Sequence, residues 1–117
     1  MLKLYGIPNC NTVKKARDWL ASQNIELQFH DFKKHGVSAE LFNGWLKQTP
    51  WEKLVNRAGT TWRNLSEGEK AAVTDAQSAL ALMLAKPSVI KRPVLLRGEE
   101  ILLIGFDEAA YLRALTP

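Results

Sequence analysis

Three hydrophobic periodicities follow one another at the start of the chain, and their order constrains the fold more than any other feature. Leu2-Lys3-Leu4-Tyr5 alternates with the period of a strand, and Gly6-Ile7-Pro8-Asn9 ends it. Val13, Ala16 and Leu20 then mark one helical face from about Asn11 to Ser22. Alternation returns over 25–32, with Ile25, Leu27 and Phe29 on one face. A strand, a helix and a strand in about thirty residues make a parallel βαβ unit, because parallel neighbours need a crossover and that crossover is right-handed.

Helical signals fill the middle of the chain. Ser38 can cap a helix carrying Leu41, Phe42, Trp45 and Leu46, and Pro50 stops it. Residues 51–63 are less regular. Ser66-Glu67-Gly68-Glu69 fits a capping box, and Ala76, Ala79, Leu80, Met83 and Leu84 continue as a helical stripe that Pro87 ends. Val94-Leu95-Leu96, a turn at Gly98-Glu99-Glu100, and Ile101-Leu102-Leu103-Ile104 read as a β-hairpin. Their continuous apolar runs predict strands covered on both faces. Asp107 can cap a last helix, with Phe106 and Tyr111 placed as a hydrophobic staple. The order βαβ, helices, ββα predicts an α/β protein: a mixed four-stranded sheet with helices packed on it, which matches the thioredoxin-like plan.

The chain has 117 residues, 46% of them hydrophobic and 24% charged, and one domain of that size buries about 65% of its unfolded surface. No disulfide or structural metal is then needed for a core. The single cysteine excludes an internal disulfide framework, and with only two histidines it gives no zinc-module spacing. A reducing cytoplasm is the expected location. The N-terminus has no apolar run of signal-peptide length, and the longest apolar stretches, 79–85 and 101–104, are far short of a membrane span. The net charge of +4 is uneven. Residues 86–97 hold Lys86, Lys91, Arg92 and Arg97 with no acid, whereas 98–117 hold four acids against Arg113. A small anionic substrate explains this as well as nucleic acid does, and no direct nucleic-acid contact is expected.

Cys10 lies in Pro8-Asn9-Cys10-Asn11-Thr12, after a strand and at the start of a helix. Unpaired amides and the positive end of the macrodipole meet there, and both favour thiolate over thiol. Asn9, Asn11 and Thr12 add polar groups, and Lys14 and Lys15 add positive charge one turn on. A buried core cysteine is the plain alternative, and the polar neighbours argue against it. Position 13 is valine, so there is no C-x-x-C motif and no dithiol cycle within the chain. A mixed disulfide or adduct on Cys10 would need an external thiol to resolve it.

Arg92-Pro93 opens the third strand. A guanidinium beside Cys10 can hold an oxyanion or a carboxylate and lower the thiol pKa further; a solvated arginine and an ordinary strand-start proline are the alternatives. Arg57 and Arg63, in a loop with Thr60, Thr61 and Trp62, either fold over a small anion or are snorkelling arginines of a helix connection. His30 and His35 flank Asp31 without useful metal spacing, and Trp19, Trp45, Trp51 and Trp62 read as packing residues.

The run Leu4-Tyr5-Gly6-Ile7-Pro8-Asn9-Cys10-Asn11-Thr12-Val13-Lys14-Lys15-Ala16-Arg17, with Lys91-Arg92-Pro93-Val94 and Ile104-Gly105-Phe106-Asp107, resembles the arsenate reductase/Spx (ArsC-like) family, most nearly its small YffB-type bacterial members. The resemblance spans essentially the whole chain. It implies one domain over 1–117, with a thioredoxin-like core in 1–35 and 87–117 and a mainly helical insertion in 36–86. It also implies Cys10 as nucleophile, Arg92 as anion holder, and a cis peptide at Pro93 facing the cysteine. Asn9, Asn11, Thr12, Lys15, Arg57, Arg63 and Pro93 would then contact substrate or glutathione. Glutathione or glutaredoxin would be the resolving thiol, glutathione acting as a co-substrate rather than a tightly bound cofactor.

Two departures shape the expected activity. Arsenate reductases of the family carry a further arginine where this chain has Gly105, and Spx regulators of the redox-switch type carry the C-x-x-C that Val13 lacks. The expected function is a glutathione-dependent thiol reductase acting on a small anionic or thiol substrate. The alternatives are an Spx-like regulator that contacts RNA polymerase without catalysis, and a true arsenate reductase.

Overall fold

The computed structural model describes residues 1–116; Pro117, the last residue of the expected domain, lies outside them. In chain order the elements are β1 (Leu2–Gly6), α1 (Asn11–Ser22), β2 (Gln28–Asp31), α2 (Phe32–His35), α3 (Ala39–Leu46), α4 (Trp51–Leu54), α5 (Thr60–Arg63), α6 (Glu67–Ala71), α7 (Ala76–Ala85), a 3-10 turn (Pro87–Val89), β3 (Val94–Arg97), β4 (Glu100–Ile104) and α8 (Glu108–Leu115). They form two compact units, Met1–Gly36 with Arg92–Pro117, and Val37–Lys91. None of the described helices is long and apolar enough to cross a membrane.

The first unit is the mixed sheet predicted from element order. Its strands run β2-β1-β3-β4, with β1 parallel to β2 and antiparallel to β3, and β3 antiparallel to β4. Leu4 and Leu95 pair across β1 and β3 and so share one face. Ala16 and Leu20 of α1 and Tyr111 of α8 close over them in a fully buried cluster. Burying a side chain such as Leu20 contributes about 1.5–3 kcal/mol. At the end of β1, a Cβ on Gly6 would lie 2.9 Å from Val13 Cγ2, so glycine lets the first turn of α1 press against the strand that leads to Cys10.

The ends of α8 follow the sequence rules. Asp107 accepts a hydrogen bond from the Ala110 amide at 3.0 Å, and Phe106 meets Tyr111 edge-on at 4.8 Å, the staple expected there. Asp107→Ala is expected to cost about 1 kcal/mol. A lower urea midpoint with an unchanged m value would show it.

Three expectations need correction in this unit and the next. The second strand is short, covering Gln28–Asp31 and not 25–32. Asp31 accepts from the Lys33 amide at 2.9 Å and starts α2, so Phe32 is buried in a helical turn. β4 is an edge strand, half-buried along most of its length and not covered on both faces; β3 is the buried one.

In the second unit, the helix expected from Ser66 to Pro87 is two helices. Ser66 and Glu69 do form the capping box of α6, but Asp75 and Ser78 form a second one that starts α7. Phe42, Trp45, Leu54, Val55, Ala79, Met83, Val89 and Ile90 are buried. Residues 51–63 resolve into α4 and α5, and Val55 bridges Ile90 in antiparallel fashion.

Candidate functional site

The strand order brings the two candidate catalytic residues together. β1 and β3 are antiparallel neighbours, with Tyr5 opposite Val94. The loop leaving β1 toward Cys10 and the segment entering β3 through Arg92-Pro93 therefore lie at the same end of the sheet.

Cys10 is the N-cap residue of α1, in extended conformation (φ −105°, ψ 127°), and it is half-buried. Its sulfur occupies the position of a capping side chain, where the amides two and three residues on would otherwise be unsatisfied. Those amides belong to Thr12 and Val13. No side-chain hydrogen bond of capping geometry closes there, and the amides act on the sulfur as aligned N–H dipoles. Burial pushes the thiol pKa up; the Val13 amide, the Arg92 side chain as donor, the Thr12 amide and the Arg92 charge push it down, and the net result lies below the ordinary value.

Arg92 is half-buried and supplies the cationic influence on the sulfur, whereas Lys14 and Lys15, expected to share that role, are exposed on α1. Pro93 is buried, and the Arg92–Pro93 peptide is cis. The Pro93 carbonyl accepts from the Gly105 amide at 2.8 Å. Asn9, Asn11 and Thr12 are exposed around the cysteine. A half-buried sulfur with lowered pKa, an adjacent guanidinium and exposed polar neighbours can attack an electrophilic sulfur and hold an anionic group beside it.

Arg57 and Arg63 belong to the second unit. Both are exposed; Arg57 lies over the Trp51 ring at 5.5 Å, and Arg63 ends α5. His30 donates from Nε2 to the Gly36 carbonyl at 2.8 Å, and His35 Nδ1 accepts from the Asp31 amide at 3.2 Å. Among the described residues no three or more His, Cys, Asp or Glu side chains converge as metal ligands.

The unpaired first-turn amides expected at Cys10 are those of Thr12 and Val13, the second and third helical residues. What the residue pattern does not reveal is the part played by Gly105, a backbone role with no side-chain signal.

Comparison with known proteins supports one family. The ArsC family model matches residues 5–114. A solved YFFB protein is 46% identical with a TM-score of 0.92, covering 99% of this chain and 100% of its own. An arsenate reductase (ArsC) related protein from Brucella melitensis is 48% identical with a TM-score of 0.79, covering 99% of this chain and 95% of its own. The global transcriptional regulator Spx of Lactiplantibacillus plantarum is 25% identical over 112 residues, 92% of this chain and 81% of that protein.

Proposed function

We propose, on the premise that this chain belongs to the ArsC family, that it is a single-thiol reductase drawing its electrons from glutathione. The observation that carries the reading is the convergence of Arg92 and the first α1 amides on a lone, half-buried sulfur of lowered pKa. On a glutathione mixed disulfide, the Cys10 thiolate attacks the glutathione sulfur. The substrate sulfur leaves with the electron pair of the broken S–S bond and takes up a proton. A free glutathione thiolate then attacks the glutathionyl sulfur on Cys10, which departs as thiolate while oxidised glutathione forms. One disulfide is reduced and one is made, so the electrons balance.

Arg92 would hold a carboxylate of the incoming peptide, with Asn9, Asn11, Thr12, Lys15 and Pro93 as its surroundings. A small oxyanion in place of the disulfide, or glutaredoxin in place of free glutathione, fits the same sulfur. Arg57 and Arg63 enter only as anion-binding candidates of their own loop. Glutathione as donor implies work in a reducing cytoplasm.

Alkylation of the protein across pH tests this reading, followed by mass spectrometry after exposure to oxidised glutathione. The expected midpoint lies below the free-cysteine value of about 8.5, with one glutathione added per chain. A midpoint at that value and no adduct would refute the reading.

A second reading is favoured by the named regulator among the relatives. In it the chain is a partner of the transcription machinery, contacts RNA polymerase, and does not need Cys10 to do so. Arsenate reduction proper is the weaker reading. Gly105 has no side chain to offer a third anion contact, and its φ of +86° disfavours any side chain there.

A further inference from the structure

Gly105 joins β4 to α8 in a left-handed conformation, and both of its backbone polar groups are occupied. Its amide donates to the Pro93 carbonyl at 2.8 Å, and its carbonyl accepts the Tyr111 hydroxyl at 3.0 Å. Glycine has the widest conformational freedom of any residue, so these two bonds do the work of holding it. β4, the strand leading to it, lies at the sheet edge and gives it less support than a central strand would.

Tyr111 is fully buried, with its ring edge-on to Trp19 of α1 at 6.0 Å and to Phe106 at 4.8 Å. A phenylalanine would fill the same space. What tyrosine adds is a hydroxyl on the Gly105 carbonyl. Burial pushes the phenol pKa up, so the hydroxyl remains a donor at any working pH.

We infer that Tyr111 is a positioning residue for the Cys10 thiolate: its hydroxyl fixes Gly105, Gly105 fixes Pro93, and Pro93 holds the adjoining Arg92 guanidinium on the sulfur. The inference rests on the reading of Cys10 as a working thiolate. It names a residue that touches neither sulfur nor substrate and acts through a backbone relay between two loops.

The test is the pH profile of Cys10 alkylation in Tyr111→Phe, Arg92→Ala and the double variant, with near-UV circular dichroism to check the fold. Tyr111→Phe should raise the midpoint part of the way toward the free value of about 8.5 and slow alkylation at pH below the midpoint about twofold. Tyr111→Phe should add no further shift in the Arg92→Ala background, because its effect runs through that guanidinium. Leu115→Ala, which loosens the core around the Tyr111 ring and removes no hydrogen bond of the relay, should lower thermal stability and leave the midpoint in place.

An unshifted midpoint in Tyr111→Phe, an additive shift in the double variant, or an equal shift in Leu115→Ala would each overturn the inference while leaving the lowered wild-type midpoint intact. A wild-type midpoint at the free value would remove the reading of Cys10 and this inference together.

Discussion

Cys10→Ser will bring reduction of a glutathione mixed disulfide down to the uncatalysed background and, at pH below the native thiol midpoint, leave the folded state as stable as before, or more so. The activity goes because a serine hydroxyl is not ionised near neutral pH and cannot accept or pass on a disulfide, and the chain has no second cysteine to stand in. The fold stays because position 10 is the N-cap of α1. Serine ranks among the best residues there, its oxygen accepting from the second or third amide, and replacing a non-capping side chain by one gains about 1 kcal/mol. Cys10→Ser therefore separates the two quantities that most inactivating substitutions confound. A coupled assay should show no turnover above the glutathione blank, and a urea titration at pH below the native thiol midpoint should give a transition equal to or above that of the wild type. Turnover surviving in the variant would remove Cys10 from the mechanism. The same variant also distinguishes the two functional readings: a regulator would still retain RNA polymerase subunits from lysate, whereas a reductase would show no such partner in either form.

That double expectation comes from a position whose two roles were unequally visible. The strand-to-helix junction at Cys10 could be read from the sequence, because the alternation of Leu2 to Tyr5 and the helical face of Val13, Ala16 and Leu20 leave little room for anything else. The mixed sheet followed from the order of such periods. The length of β2 did not. Ile25 and Leu27 alternate because they pack beside the core cluster, yet ladder pairing needs a partner, and β1 offers only Lys3 to Gly6 opposite Gln28 to Asp31. The break before α7 was hidden for another reason. Ser78 completes the capping box of Asp75 where a glutamate or glutamine is the usual signal, and the apolar stripe beyond it reads as a continuation.

At the site, the nearness of Arg92 to Cys10 follows from a single topological fact, the antiparallel adjacency of β1 and β3. Once element order suggests that sheet, residues 10 and 92 fall at the same end of it. The relay through Gly105 has no counterpart in residue pattern. It consists of one amide, one carbonyl and one hydroxyl whose meeting depends on the path of the chain after β4. Side-chain chemistry was legible where a period fixed its place, and backbone chemistry was legible only at the helix start, where capping rules apply.

Arg92→Ala should raise the midpoint of Cys10 ionisation toward about 8.5, and Arg92→Lys should fall between it and the wild type. Arg92 lowers the thiol pKa in two ways, by hydrogen bonding to the sulfur and by its charge. Lysine keeps the charge and loses the planar fork of donors. The size of the kinetic effect depends on the substrate. For each unit of upward shift, the thiolate fraction below the midpoint drops about tenfold, while the remaining thiolate becomes roughly threefold more nucleophilic. At pH below the midpoint a neutral alkylating agent therefore slows only about threefold per unit. A glutathione mixed disulfide should lose more, about tenfold or beyond, because the guanidinium that would hold its carboxylate is gone as well. Equal losses toward the neutral and the anionic reagent would limit Arg92 to tuning the sulfur and take substrate binding away from it. Stability carries the same signature with a fixed sign. A thiol whose native pKa is depressed contributes stability that is fully present above the unfolded value near 8.5 and is lost as pH falls through the native pKa. In Arg92→Ala the two values approach each other, so the pH-dependent part of the urea midpoint between them should shrink. An unchanged dependence would mean that the guanidinium does not act on the sulfur in solution.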